Sequence, residues 1–84
     1  MKEAAEKLIK FWLSWYNCDY YIANITEYPK INAVDFLINE MGSMYHLTVR
    51  HTTDDYMVVE NKQNDVLLKI ASHGIVWKKL KFFI

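Results

Sequence analysis

Apolar side chains recur along the first segment with the period of a helix. At about 100° per residue, Ala5, Leu8, Ile9, Trp12, Trp15 and Tyr16 fall on one side, with Phe11 and Leu13 flanking them. Glu3, Glu6, Lys7, Lys10, Ser14 and Asn17 fill the opposite side. Asp19 would land inside the apolar stripe, so the pattern predicts a helix over about Lys2 to Asn17. Glu3–Lys7 and Glu6–Lys10 stand in the favourable i,i+4 order, worth roughly 0.2–0.5 kcal/mol each. The wide apolar arc predicts a helix lying across a sheet.

Beyond Cys18 the period changes. Turn-forming clusters recur at Pro29-Lys30, Met41-Gly42, Thr53-Asp54, Asn64-Asp65 and His73-Gly74, with runs rich in Tyr, Ile, Val, Leu and Phe between them. Regular spacing of this kind predicts consecutive hairpins. Met44–His51 is the clearest strand, with Tyr45, Leu47 and Val49 alternating against His46, Thr48 and Arg50. Tyr56–Lys62, Val66–Ala71 and Ile75–Phe83 follow as strands, the last one an edge decorated by Lys78, Lys79 and Lys81. Ile31 to Gly42 fits either a helix capped by Asn32 or a strand. The strand is favoured because a tight turn at Met41-Gly42 sets Val34, Phe36 and Ile38 opposite Val49, Leu47 and Tyr45. Asp19–Thr26 reads as a further strand or an irregular link.

The expected fold class is therefore α+β: one long N-terminal amphipathic helix packed against an antiparallel β-meander of roughly four to six strands. Residues 1–84 form a single domain, with the helix over about 2–17 and the meander over about 31–83. A chain this short is marginal unless its core is dense. Here 52% of residues are hydrophobic, with three Trp, six Tyr and four Phe.

Charge and composition narrow the chemistry. Ten basic and ten acidic residues cancel, which removes the overall field that favours nucleic acid. Nine of the ten basic residues are Lys and one is Arg50, and Asn, Ile and Tyr are plentiful, the skew of an AT-rich coding sequence. Cys18 is the single cysteine, so no intrachain disulfide forms and a cytoplasmic setting is expected. No apolar run approaches the ~18 residues of a membrane span, and the start does not resemble a signal peptide. Two isolated glycines leave no phosphate-binding loop, and no cofactor is expected.

The stretch "TVRHTTDDYMVVENK" carries the most chemistry. Glu60-Asn61-Lys62 has the Glu-x-Lys form used by some metal-dependent nucleases, where carboxylates on neighbouring strands share an ion. Asp55 and Glu60 on a single strand would lie about 16 Å apart at ~3.3 Å per residue, too far for one ion, and Asp35 or Glu40 could replace the aspartate only if the fold brings them close. Asp54 and Asp55 read as turn residues beside an exposed His51. Neither a catalytic residue nor a metal site is assigned. Cys18 reads as a partly buried inert thiol.

"DFLINE" followed by "MYHLTVRH" is similar to the central strands of SH2 domains, in which an arginine of the first strand grips phosphotyrosine. Asn39 occupies that place here, so the resemblance implies no phosphotyrosine binding for this chain.

Two surfaces remain. His46, Thr48 and Arg50, with Glu60 and Lys62 on the next strand, form a polar sheet face suited to a protein partner, Arg being favoured at interfaces for its forked donors. Trp77, Lys78, Lys79 and Lys81 interleave aromatic and basic groups, the pattern of a nucleic-acid contact. The expected function is a small non-enzymatic protein–protein interaction domain, of the kind used by phages or mobile elements as accessory or inhibitor proteins. A nucleic-acid-binding protein built on the C-terminal strand is the alternative. An edge strand also offers a route to a homodimer.

Overall fold

A computed structural model describes residues 1–15, 19–72 and 74–78. The chain forms helix α1 (Lys2–Leu13) and strands β1 (Tyr20–Tyr28), β2 (Ala33–Glu40), β3 (Ser43–His51), β4 (Met57–Glu60), β5 (Val66–Ala71) and β6 (Gly74–Lys78). A short 3₁₀ turn, Pro29–Ile31, links β1 to β2. The strands form one antiparallel sheet in the order β1-β2-β3-β4-β5-β6, a meander in which every neighbour is consecutive.

The helix is shorter than its periodicity predicts, at 12 residues. Ser14 ends it: its hydroxyl donates to the Phe11 carbonyl at 2.6 Å, and its backbone N–H reaches the carbonyls of Lys10 and Phe11. Such a bond gives the backbone an alternative to the next helical turn. Trp15, past the helix end, is partly buried and still packs against the core. It packs edge-on against Phe11 with ring centroids 4.8 Å apart, and the Lys78 ammonium sits 4.3 Å from its ring. Tyr16, Asn17 and Cys18 lie outside the described residues. Of the two expected i,i+4 pairs, Glu6–Lys10 closes at 3.0 Å. Glu3 and Lys7 form no ion pair among the described residues.

Ala5, Leu8, Ile9, Trp12 and Leu13 are buried on one face of the sheet with Val34, Phe36, Ile38, Leu47, Val49, Val59, Leu67 and Leu68. The segment that could have been helix or strand is strand β2. Its register with β3 sets Val34, Phe36 and Ile38 against Val49, Leu47 and Tyr45, as the matched patterns require. Asp19–Thr26 resolves into β1. Ile22 and Ile25 both pack against the core although three residues apart, because the ladder slips between Ile22 and Asn24. A second slip, between Val59 and Glu60, lets Leu67 and Leu68 be buried in succession. Bulges of this kind change which side of the sheet the following residues occupy.

Two strand ends differ from the sequence expectation. β4 stops at Glu60, two residues before Lys62. Asn61 causes this: its side-chain oxygen accepts the backbone N–H groups of Gln63 and Asp65 at 3.0 and 2.9 Å, closing a turn in place of a ladder. β6 is described to Lys78, and residues 79–84, including Lys79 and Lys81, lie outside the described residues.

The β2–β3 hairpin turns through Met41 and Gly42, both with positive φ (51° and 88°). A two-residue turn of this hand favours Asn-Gly, because a side chain such as Met crowds the backbone there. Met41 is also almost fully solvent-exposed. Met41→Asn should therefore stabilise the protein by about 0.5–1 kcal/mol. For a domain of this size that is a rise in Tm of roughly 2–8 °C in a thermal melt. An unchanged Tm would mean that Met41 carries no strain.

Candidate functional site

The face of the sheet opposite α1 carries the polar residues. Alternation along the paired strands puts Asp35 and Leu37 of β2, His46, Thr48 and Arg50 of β3, Glu60 of β4, Lys69 of β5 and Trp77 of β6 on that side. The register sets Asp35 opposite Thr48, and Thr48 opposite Glu60. The polar residues of three strands therefore sit side by side.

They are bonded to one another. The Asp35 carboxylate takes His46 Nδ1 on one oxygen at 2.7 Å and the Thr48 hydroxyl on the other at 3.0 Å. A carboxylate oxygen only accepts, so Nδ1 carries the proton in this contact, and Nε2 is left as the acceptor of the neutral ring. Arg50 Nε donates to Glu60 Oε1 at 2.9 Å. Glu60, expected to face a partner, is instead 8% exposed and held by Arg50. Lys62, expected on the strand beside it, lies in the turn that Asn61 builds, exposed and without an ion pair among the described residues.

Asp35, which the sequence analysis offered only as a stand-in carboxylate for a metal beside Glu60, organises the polar face instead. The pairing of Val34 with Val49 already implied its position opposite Thr48. The polar face was read without it because Asp35 lies in a segment that also fitted a helix.

The arrangement offers fixed donors and acceptors, with the His46 ring oriented by the Asp35 carboxylate. Among the described residues no group of three His, Cys, Asp or Glu could hold a metal ion. His51 Nε2 contacts Asp55 at 3.0 Å within the β3–β4 connection, where Asp55 has a positive φ of 64°. The double aspartate thus belongs to a turn.

Apolar side chains border the polar face. Tyr28, Ile31 and Met44 are about half exposed or more. A recess of 380 Å³ lies between Tyr28, Ile31, Asp35, His46, Thr48 and Lys62. At the far side of the sheet, Ile75, Val76 and Trp77 are exposed. Trp77 registers with Lys69, whereas the Lys78 ammonium turns to the helix side over Trp15, so Trp77 and Lys78 do not share a face. No described helix is long and apolar enough to cross a membrane.

Comparison with protein-family models, curated proteins and solved structures finds no match to this chain.

Proposed function

We propose that the protein is a non-enzymatic interaction domain that works by covering part of a protein partner with the open face of its sheet. The observation that carries this reading is the pre-bonded polar set Asp35–His46–Thr48 and Arg50–Glu60, bordered by exposed Tyr28, Ile31 and Met44. Protein interfaces combine aromatic and Met side chains with satisfied polar groups. Side chains already held in place lose less freedom on binding than mobile ones. A small accessory or inhibitor protein needs nothing more than such a face.

The test begins with purification of the tagged chain from its native host and identification of the bound protein by mass spectrometry. Ile31→Arg and Lys62→Glu change exposed positions outside the bonded set, so the fold should persist by circular dichroism. Each should weaken the partner about tenfold or more, the effect of losing one strong interface contact. Partner affinity unchanged in both variants would overturn the reading.

Exposed Trp77 beside Lys69 supports the second reading, a single-stranded nucleic-acid contact. It predicts oligonucleotide binding that falls steeply with salt. Binding that is absent, or flat between low and moderate salt, rules it out.

A further inference from the structure

β3 has nine residues and β4 four, and they pair from Thr48 to His51. Met44–Leu47 therefore have β2 on one side and, among the described residues, no strand on the other. Ladder alternation decides which backbone groups face that gap. The His51 N–H donates to the Asn32 carbonyl at 2.9 Å, which marks that pair as directly bonded. Counting back by twos, Val49, Leu47 and Tyr45 exchange bonds with β2, while Arg50, Thr48, His46 and Met44 turn their N–H and C=O groups away from it. Arg50 and Thr48 meet β4. His46 and Met44 meet no strand, and neither has a backbone bond to the turn after β4 among the described residues.

The gap opens into a recess of 490 Å³ backed by Trp12 and bounded by Met44, His46, Lys62 and Gln63. Lys62 is the only Asp, Glu, Lys or Arg that lines it, and it has no ion pair among the described residues. Beside it, Met44 and the strained Met41 supply adaptable apolar surface.

We propose that the Met44–His46 flank is a strand-addition site for an extended, acidic peptide segment of a protein partner. This rests on the protein-binding reading above and names how the partner is held. The segment continues the line that β4 abandons at Asn61. Its residues opposite His46 and Met44 exchange backbone bonds with them, and an acidic side chain on that face meets Lys62. The residue opposite Tyr45 points to the helix side, toward Trp12, and is apolar. Backbone bonds supply the affinity and alternate side chains the selectivity, the usual division of labour in strand addition.

The probe is acetyl-Thr-Glu-Val-Glu-Thr-amide, titrated into the full ¹⁵N-labelled chain. The expected result is saturable shifts centred on the Met44 and His46 amides, with slowed hydrogen exchange at those two. Replacing both glutamates of the peptide by lysine, or making Lys62→Glu in the protein, should weaken binding about fivefold or more. N-methylation of the two glutamates should abolish it, because it removes the donors that the pairing needs. Three results would each overturn the proposal: no saturable shift up to about 5 mM, shifts confined to β1 or β6, or indifference to N-methylation. Self-association of the free chain with protection of Met44 would also overturn it, since a second copy would then fill the flank. If the peptide fails while partner capture still responds to Ile31→Arg, the flank is wrong and the open-face reading stands.

Discussion

Replacing Trp12 with alanine should lower the free energy of unfolding by about 3–5 kcal/mol. At roughly 0.05–0.15 kcal/mol per residue, 84 residues hold about 4–13 kcal/mol in all, so the variant sits near the limit of folding. Trp12 is fully buried, on the only helix described, against the sheet face that carries Phe36, Leu47 and Val49. A helix of 12 residues is marginal by itself and depends on that packing. Losing its largest anchor also loosens Leu8, Ile9 and Leu13. Phe11, one position away, is the control. It is 42% exposed and touches Trp15 at the surface, so Phe11→Ala should cost about 1 kcal/mol or less. Urea unfolding followed by far-UV circular dichroism reads both as midpoint shifts. Equal losses at the two positions would mean that α1 does not present this stripe to the sheet.

The same contrast shows what the sequence made legible. The stripe Ala5, Leu8, Ile9 and Trp12 could be read because every member is apolar and the period is regular, and all four are buried. The hairpin register of β2 and β3 could be read because a single turn, Met41-Gly42, fixes which residue faces which. The ends of elements were harder, because single polar side chains set them. Ser14 stops α1 and Asn61 stops β4, each by bonding to nearby backbone, and neither breaks the apolar period before it. The polar face was legible as His46, Thr48 and Arg50, since they alternate with the core residues of one strand. Glu60 was read onto it from the next strand, but its bonding was not, because which side chains reach one another, Asp35 with His46 and Thr48 and Glu60 with Arg50, leaves no mark on the alternation. Nor does any periodicity announce the free flank of β3. It arises from the unequal lengths of two strands, which Asn61 decides.

Arg50→Ala is the second large effect, expected at about 2–3 kcal/mol of lost stability. It leaves the carboxylate of Glu60 without its donor at a site where the side chain is 10% exposed. A carboxylate in that position can neither recover full hydration nor find another cation, since Lys62 is carried away by the Asn61 turn. The guanidinium is itself 42% exposed, which screens the pair and keeps the loss below the roughly 3–5 kcal/mol of a fully buried one. Glu60→Gln removes the stranded charge, so the double variant Arg50→Ala/Glu60→Gln should regain about 1 kcal/mol over Arg50→Ala alone. That recovery bears on function as well as on folding. Partner binding lost in Arg50→Ala mixes a missing contact with a disturbed sheet face, whereas the double variant restores the face while still lacking the guanidinium. If the double variant regains stability but not affinity, Arg50 itself touches the partner. If it regains both, Arg50 serves only to hold Glu60, and the contact lies with His46, Thr48 and the apolar rim. A double-mutant cycle with no coupling at all would show instead that the Arg50–Glu60 pair does not order this face.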